Sequence, residues 1–327
     1  MSQRLEYIDH LKAVAITLVV FGHFLIAINP IRFSYHPVQI VYSFHMPLFF
    51  FLSGFMVGFK DNGKLPFSFI KKKMATLLLP WLSWTMISAC YLGGGGNNCF
   101  HMDILQFYPF NGYWFLPVLF ILMVLYFVYN KIYDRCAQKK NIHWLIGLGI
   151  MGLILLMGLL LHEYNLLMYA VYWFIFLFGS FVAKYELISC FIKRKDVFFV
   201  ATIVLLLLWK IYPLSAQGVA WKSLANIAMF LVISVVSSIS LFNIVGCLYM
   251  PAMVKRTLGY IGQKSLIIYL IPVVPFAADY KLQNEDPVGY VCLVALGLAA
   301  ISIMVSIVIG NILMCVPYLR YLLFGKK

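Results

Sequence analysis

Runs of roughly twenty consecutive apolar residues recur from one end of this 327-residue chain to the other, and that recurrence constrains the fold more than any single motif. A run of that length crosses the hydrocarbon of a bilayer as an α-helix. Backbone polar groups in lipid must be satisfied internally, so only helices and closed barrels span membranes. Barrel strands alternate apolar and polar residues, whereas these runs are continuously apolar, which excludes a barrel. Composition agrees: 63% of residues are hydrophobic, 11% are charged and mean hydropathy is +0.92, where soluble domains carry about a quarter charged residues. The expected fold class is all-α, a polytopic integral-membrane bundle.

About ten spans are expected, over residues 9–29, 39–59, 74–92, 113–130, 143–161, 166–183, 196–213, 224–244, 258–278 and 289–313. The loops supply an orientation. On the side of the amino terminus lie Arg4 and Lys12, Lys60 and Lys64, Lys71 to Lys73, Lys131, Arg135, Lys139 and Lys140. Lys184, Lys193 to Lys195, Lys255, Arg256, Lys264, Arg320, Lys326 and Lys327 follow on that side, making 21 of the 25 basic residues. The other side holds Arg32, Lys210, Lys222 and Lys281. The positive-inside rule then puts both termini in the cytoplasm and accounts for a net charge of +14 without invoking nucleic acid. The seven cysteines are scattered with no CxxC spacing and read as structural; only Cys90 and Cys99 stand where a pair could form. No small-residue cleavage pattern follows the first run, so a retained signal-anchor helix is expected. Neither an internal repeat nor a soluble segment interrupts the chain, and residues 1–327 are expected to form one transmembrane domain.

Within the first span, Asp9-His10-Leu11-Lys12 leads to Val20-Phe21-Gly22-His23. Lys12 and His23 are eleven positions apart, three helical turns plus about 20°, so both fall on one stripe about 16 Å long. Ala15, Ile16, Val19 and Gly22, mostly slim, lie between them. The orientation puts Lys12 near the cytoplasmic face and His23 in the outer half. The second span runs inward, and His45, some six residues into it, lies at a similar depth. An ionisable residue inside a span marks a functional site by default. Prolines 47, 80, 117, 272 and 275 lie within spans, tolerated where protein or a watery cavity re-satisfies the freed backbone, and Ser53-Gly54 offers a small face for close helix packing.

Each polar residue has a plain reading beside the chemical one. Lys12 is a flanking lysine snorkelling to the interface, or an anion ligand with Asp9 as its ion-pair partner. His23 is an inter-helix hydrogen-bonding group, or a general base matched to neutral pH. His45 orients His23, bonds a carbonyl freed beside Pro47, or stabilises an oxyanion. Lys71 to Lys73 are topogenic, or hold phosphates. Tyr113 and Trp114 sit where an interfacial aromatic belt belongs. Ser265 and Tyr269 put hydroxyls on an apolar helix, which suits helix-to-helix bonding. A P-loop, GxSxG, GxGxxG with a following acid and HExxH are all missing, and acidic residues are scarce at mid-membrane positions, against a carboxylate proton relay.

Together these motifs resemble the acyltransferase 3 family of integral-membrane O-acyltransferases. Tyr7 to Lys12 through Gly22-His23 looks like the family's basic residue, ten-residue spacer and histidine. The most specific block is Phe44-His45-Met46-Pro47-Leu48-Phe49-Phe50-Phe51-Leu52-Ser53-Gly54. Lys72-Lys73 with Leu77 to Pro80, Tyr113 to Leu116, and Gly262 through Tyr269 are similar to further blocks, so the resemblance spans nearly the whole chain. Lys12 stands where arginine is frequent, which loses the bidentate fork. Ile271-Pro272 stands where the late block often ends in a histidine, so no role of that histidine carries over.

The resemblance implies acyl transfer, acetyl or another small acyl group such as succinyl, from a cytoplasmic acyl-CoA to a hydroxyl of a surface glycan or its lipid-linked precursor, in a bacterial inner membrane. No cofactor is expected to be permanently bound; acetyl-CoA is a co-substrate. The expected roles are His23 and His45 in catalysis, by direct transfer or through an acyl-histidine. Lys12, Lys72 and Lys73 would bind the donor, with Asp9, Tyr113, Trp114, Ser265 and Tyr269 in support. A transporter or flippase of a lipid-linked glycan is the main rival, although transporter halves often repeat. A non-catalytic subunit of a glycan-assembly complex is the second.

Overall fold

The computed structural model describes residues 6–28, 36–60, 66–92, 113–135, 142–161, 164–211, 224–247, 250–271 and 287–326, and every regular element among them is helical. The segment 93–112, with Cys99, and Pro272 and Pro275 lie outside the described residues. The helices are α1 (Glu6–Ile28), α2 (His36–Lys60), α3 (Phe67–Lys73), α4 (Leu79–Leu92), α5 (Phe115–Arg135), α6 (Ile142–Leu160) and α7 (Tyr164–Lys184). They continue with α8 (Glu186–Ile192), α9 (Lys195–Ile211), α10 (Leu224–Cys247), α11 (Ala252–Gln263), α12 (Ser265–Leu270), α13 (Val288–Met314) and α14 (Pro317–Phe324). Six of them, α1, α2, α5, α7, α10 and α13, are long and apolar enough to cross a bilayer, and the apolar stretch Trp144–Leu160 of α6 is somewhat shorter. Leu145, Leu153 and Leu160 on α6 and Leu293 and Ile312 on α13 are each more than 60% exposed, a surface suited to lipid and not to water. The protein is a multi-pass all-α membrane protein.

The remaining expected spans are modified. Residues 74–92 are entered through a π-helical turn, Met74–Leu78, directly before Pro80, whose missing N–H disrupts the regular ladder. Residues 196–213 correspond to the 17-residue α9. The stretch 258–278 is interrupted: α11 begins earlier, Lys264 (φ −96°, ψ 4°) separates it from α12, and α12 stops at Leu270. Ile271 leaves the helical region because it precedes Pro272.

The chain divides into two compact units. The first comprises Met1–Lys60 and Leu153–Ile307, and its core is the pairing of α2 with α7. Glycines make that pairing close. A Cβ on Gly54 would overlap the Phe176 carbonyl, one on Gly179 would overlap that of Phe51, and one on Gly58 would lie 2.5 Å from the Ser180 oxygen. Gly54 and Gly58 form a GxxxG pair, the small-residue spacing that lets helix backbones meet in lipid. Phe242 on α10 joins three helices, with ring centroids 5.5 Å from Phe51 and from Phe55 on α2 and 4.9 Å from Tyr7 on α1. Pro47 cannot donate to the carbonyl of Ser43, and Ser234 of α10 supplies a hydroxyl 3.5 Å from that oxygen. Likewise Ser306 of α13 places its hydroxyl 2.6 Å from the Ile271 oxygen, beside the end of α12.

The second unit comprises Asp61–Gly152 and Val308–Lys327. In it α14 folds back on α4. Ser83 Oγ donates to the Leu322 carbonyl at 2.9 Å and Trp84 Nε1 to that of Leu323 at 3.0 Å. Gly325 ends α14 in the left-handed region (φ 61°) and rests on the Ala75 carbonyl, so glycine is required there on two counts. Trp84→Phe keeps an aromatic side chain but loses the indole N–H and leaves the Leu323 oxygen unserved, at about 1–3 kcal/mol. Hydrogen exchange of the α14 amides is expected to accelerate by about tenfold per 1.4 kcal/mol, and unchanged exchange would show that α14 is held by packing alone.

Candidate active site

The site is built on α1 and α2. Asp9 is buried, and its carboxylate lies 3.8 Å from Lys12 Nζ one turn later, so the half-buried lysine has the expected ion-pair partner. Beside them, a Cβ on Gly262 would overlap the Asp9 carbonyl, which seats the late block Gly262 to Tyr269 against the first turns of α1. His10 reinforces this contact, its Nε2–H donating to the Lys255 carbonyl at 3.0 Å. Ser265 and Tyr269 lie half-buried on α12, which packs on α1.

At the other end of the stripe, His23 is half-buried and its Nδ1 lies 3.4 Å from the hydroxyl of Tyr42 on α2. Tyr42 contacts both histidines. Its ring meets His23 edge-on at 6.3 Å between centroids and His45 edge-on at 4.7 Å, so the imidazoles lie no farther apart than those two distances end to end. His45 is 4% exposed. Its Nδ1 is 2.7 Å from the Val41 carbonyl, an oxygen that only accepts, so Nδ1 carries the proton and Nε2 of the neutral ring carries the lone pair. The carbonyl freed by Pro47 is a different one, that of Ser43, and it goes to Ser234. Ser43 itself donates to the Ile40 carbonyl at 2.6 Å and accepts from Trp209 Nε1 at 3.1 Å. Trp209, whose ring also lies 5.7 Å from that of Phe44, thereby ties α9 to α2 just before His45 in the chain.

Lys72, Lys73, Tyr113 and Trp114 belong to the second unit. Lys72 is exposed at the end of α3, while Lys73 lies 5.5 Å over the Phe69 ring, as Lys71 does over Phe67. Tyr113 has its ring 6.5 Å from Trp84, and its carbonyl, which Pro117 cannot serve, accepts from the Leu116 N–H at 3.3 Å. Tyr42, Ser43, Trp209 and Ser234 are absent from the sequence reading. Tyr42 had a signal, since it stands three residues before His45 and shares its helix face. Trp209 and Ser234 had none, because their partner lies more than 160 residues away.

The model of the acyltransferase 3 family, described as an acyltransferase domain, matches residues 5–311. The chain belongs to the acyltransferase 3 family. No curated protein and no solved structure matches it. The acyltransferase thus carries two imidazoles on adjacent membrane helices with one phenol in contact with both. Its α14 lies beyond the matched region.

Proposed function

We propose that this acyltransferase is an O-acetyltransferase of a bacterial cytoplasmic membrane, moving an acetyl group from acetyl-CoA to a hydroxyl of a surface glycan or its lipid-linked precursor. The observation that carries this reading is the pair of histidines in contact with Tyr42 inside a member of an acyltransferase family. In the transfer step the acceptor hydroxyl attacks the thioester carbonyl, the new C–O bond forms and the C–S bond breaks. The hydroxyl proton passes to His23 and from there to the departing CoA thiolate, so CoA leaves as the thiol. His45, anchored through Nδ1, offers only Nε2. Neutral, that atom accepts a hydrogen bond from the incoming hydroxyl; protonated, it donates to the developing oxyanion. Lys12, held by Asp9 in the first unit, attracts an anionic part of the donor as a point charge; for lysines 72 and 73 of the second unit, phosphate binding is proposed from the family motif alone.

The test uses membranes containing the full chain, supplied with acetyl-labelled acetyl-CoA, and follows label into glycan. Label in glycan that is released by mild base, and its loss in membranes without the protein, is the expected result. Glycan that carries no ester yet disappears from the surface when the protein is removed points to a transporter and overturns the reading. Lys72→Ala and Lys73→Ala should each raise the KM for acetyl-CoA by about 1.4- to 5-fold, since an exposed ion pair is worth about 0.2–1 kcal/mol. Added salt should shrink that difference.

A further inference from the structure

Histidine at position 23 serves as a base through Nε2 only when Nδ1 carries the ring proton, and a neutral imidazole exchanges those two arrangements freely unless a neighbour decides. For His45 the decision is made by backbone: the Val41 carbonyl takes the Nδ1 proton at 2.7 Å. His23 Nδ1 has the Tyr42 oxygen at 3.4 Å. The two anchors are consecutive residues of α2, and each holds one imidazole by the same nitrogen. The phenol can donate to His23 Nδ1 or accept from it; where it accepts, both Nε2 atoms are left for chemistry.

The approach of Tyr42 depends on what α1 lacks. A Cβ at Gly22 would stand 3.1 Å from Tyr42 Cε2 and 3.0 Å from Val41 Cγ1, tighter than side chains ordinarily pack. Glycine immediately before His23 is therefore what lets the phenol ring lie alongside the imidazole. The ring is also in edge-on contact with His45 at 4.7 Å.

We propose that Tyr42 is a positioning residue whose phenol oxygen accepts the Nδ1–H of His23 and so presents Nε2 to the acceptor hydroxyl. This rests on the acyl-transfer reading above. No bond to Tyr42 is made or broken in the reaction. When His23 takes the hydroxyl proton on Nε2, Nδ1–H remains a donor and the same phenol oxygen continues to accept from the imidazolium. The charge is thereby stabilised without rearrangement, as partners of the distal nitrogen do for histidines at other reactive centres.

The test is Tyr42→Phe in the full-length protein, in membranes, with two readouts. Acetyl transfer should show kcat lowered by about 10- to 100-fold with the KM for donor and acceptor unchanged. Nitrogen-15 spectra of histidine-labelled protein, with the His23 signal identified by its loss in His23→Ala, should show the Nδ1–H form dominant in the native protein and diminished in Tyr42→Phe. A purely packing role would move neither, because phenylalanine keeps the ring. Unchanged kcat and unchanged tautomer overturn the proposal, and a rise in KM alone overturns it by making Tyr42 a substrate contact. If Tyr42→Phe is poorly inserted, Gly22→Ala displaces the phenol by a few tenths of an ångström and should reduce the Nδ1–H form in the same spectra; an unaltered spectrum overturns the proposal. The failure of the underlying reading is seen separately: His23→Ala would then transfer acetyl at the native rate, while the tautomer measurement still judges Tyr42.

Discussion

His23→Ala is expected to lower acetyl transfer by about 10²- to 10⁴-fold, the usual worth of a positioned general base. The residue is half-buried, and among the described residues its side-chain hydrogen bond is to the hydroxyl of half-buried Tyr42, so its removal strands no fully buried side chain and the variant should insert normally. The measurement is the initial rate of label transfer in vesicles matched for protein content; native turnover by a well-inserted variant removes His23 from the chemistry. His45→Ala should behave differently. That side chain is 4% exposed and packs against Tyr42, so activity and thermal stability should fall together. The contrast matters: a loss confined to rate marks the residue that exchanges the proton, and a loss of both marks one that also holds the site in place.

The largest structural effect is expected from Gly54→Ala. The added methyl would fall on the Phe176 carbonyl. Backbone lies on both sides of the contact, so no rotamer relieves it and α2 must separate from α7. Overpacking a tight interior costs about 1–3 kcal/mol and occasionally more, and here the displaced helix also carries Tyr42 and His45. The expected result is a lower melting temperature in detergent together with lower transfer by the surviving protein. Gly149→Ala and Gly152→Ala on α6 are the controls, since no atom lies within 4 Å of either added Cβ. They should melt no lower than the native protein, since alanine is favoured over glycine inside a helix by about 0.5–1 kcal/mol. If Gly54→Ala melts with them, the α2–α7 contact is not what holds the first unit together.

Much of this was readable along the chain. The limits of α1, α2, α5, α6, α7, α10 and α13 follow from runs of apolar residues, because burial in lipid is a property of each segment by itself. The stretch 258–278 was not readable. Its break at Lys264 accompanies a contact between Gly262 and the Asp9 backbone, two residues about 250 positions apart, and hydropathy carries no record of such a meeting. Ser53-Gly54 as a close-packing face was visible, but its partner on α7 was not. Pro47 announced a freed carbonyl and said nothing of Ser234, the residue that answers it.

The same division runs through the candidate site. Spacing alone places Lys12 and His23 on one stripe, since 3.6 residues per turn is a fixed geometry. The short connection between the first two spans makes their helices neighbours, and that brings His45 to the level of His23. The family motifs name the chemistry. What the residues do to one another was decided by packing: Asp9 pairs Lys12, the Val41 carbonyl fixes the tautomer of His45, and Gly22 admits Tyr42 alongside His23. Hydrophobic period and topogenic charge are local quantities, summed over a segment and written in its residues. A hydrogen bond between side chains on different helices depends on rotation and approach that many distant contacts set together, and only the folded bundle supplies them.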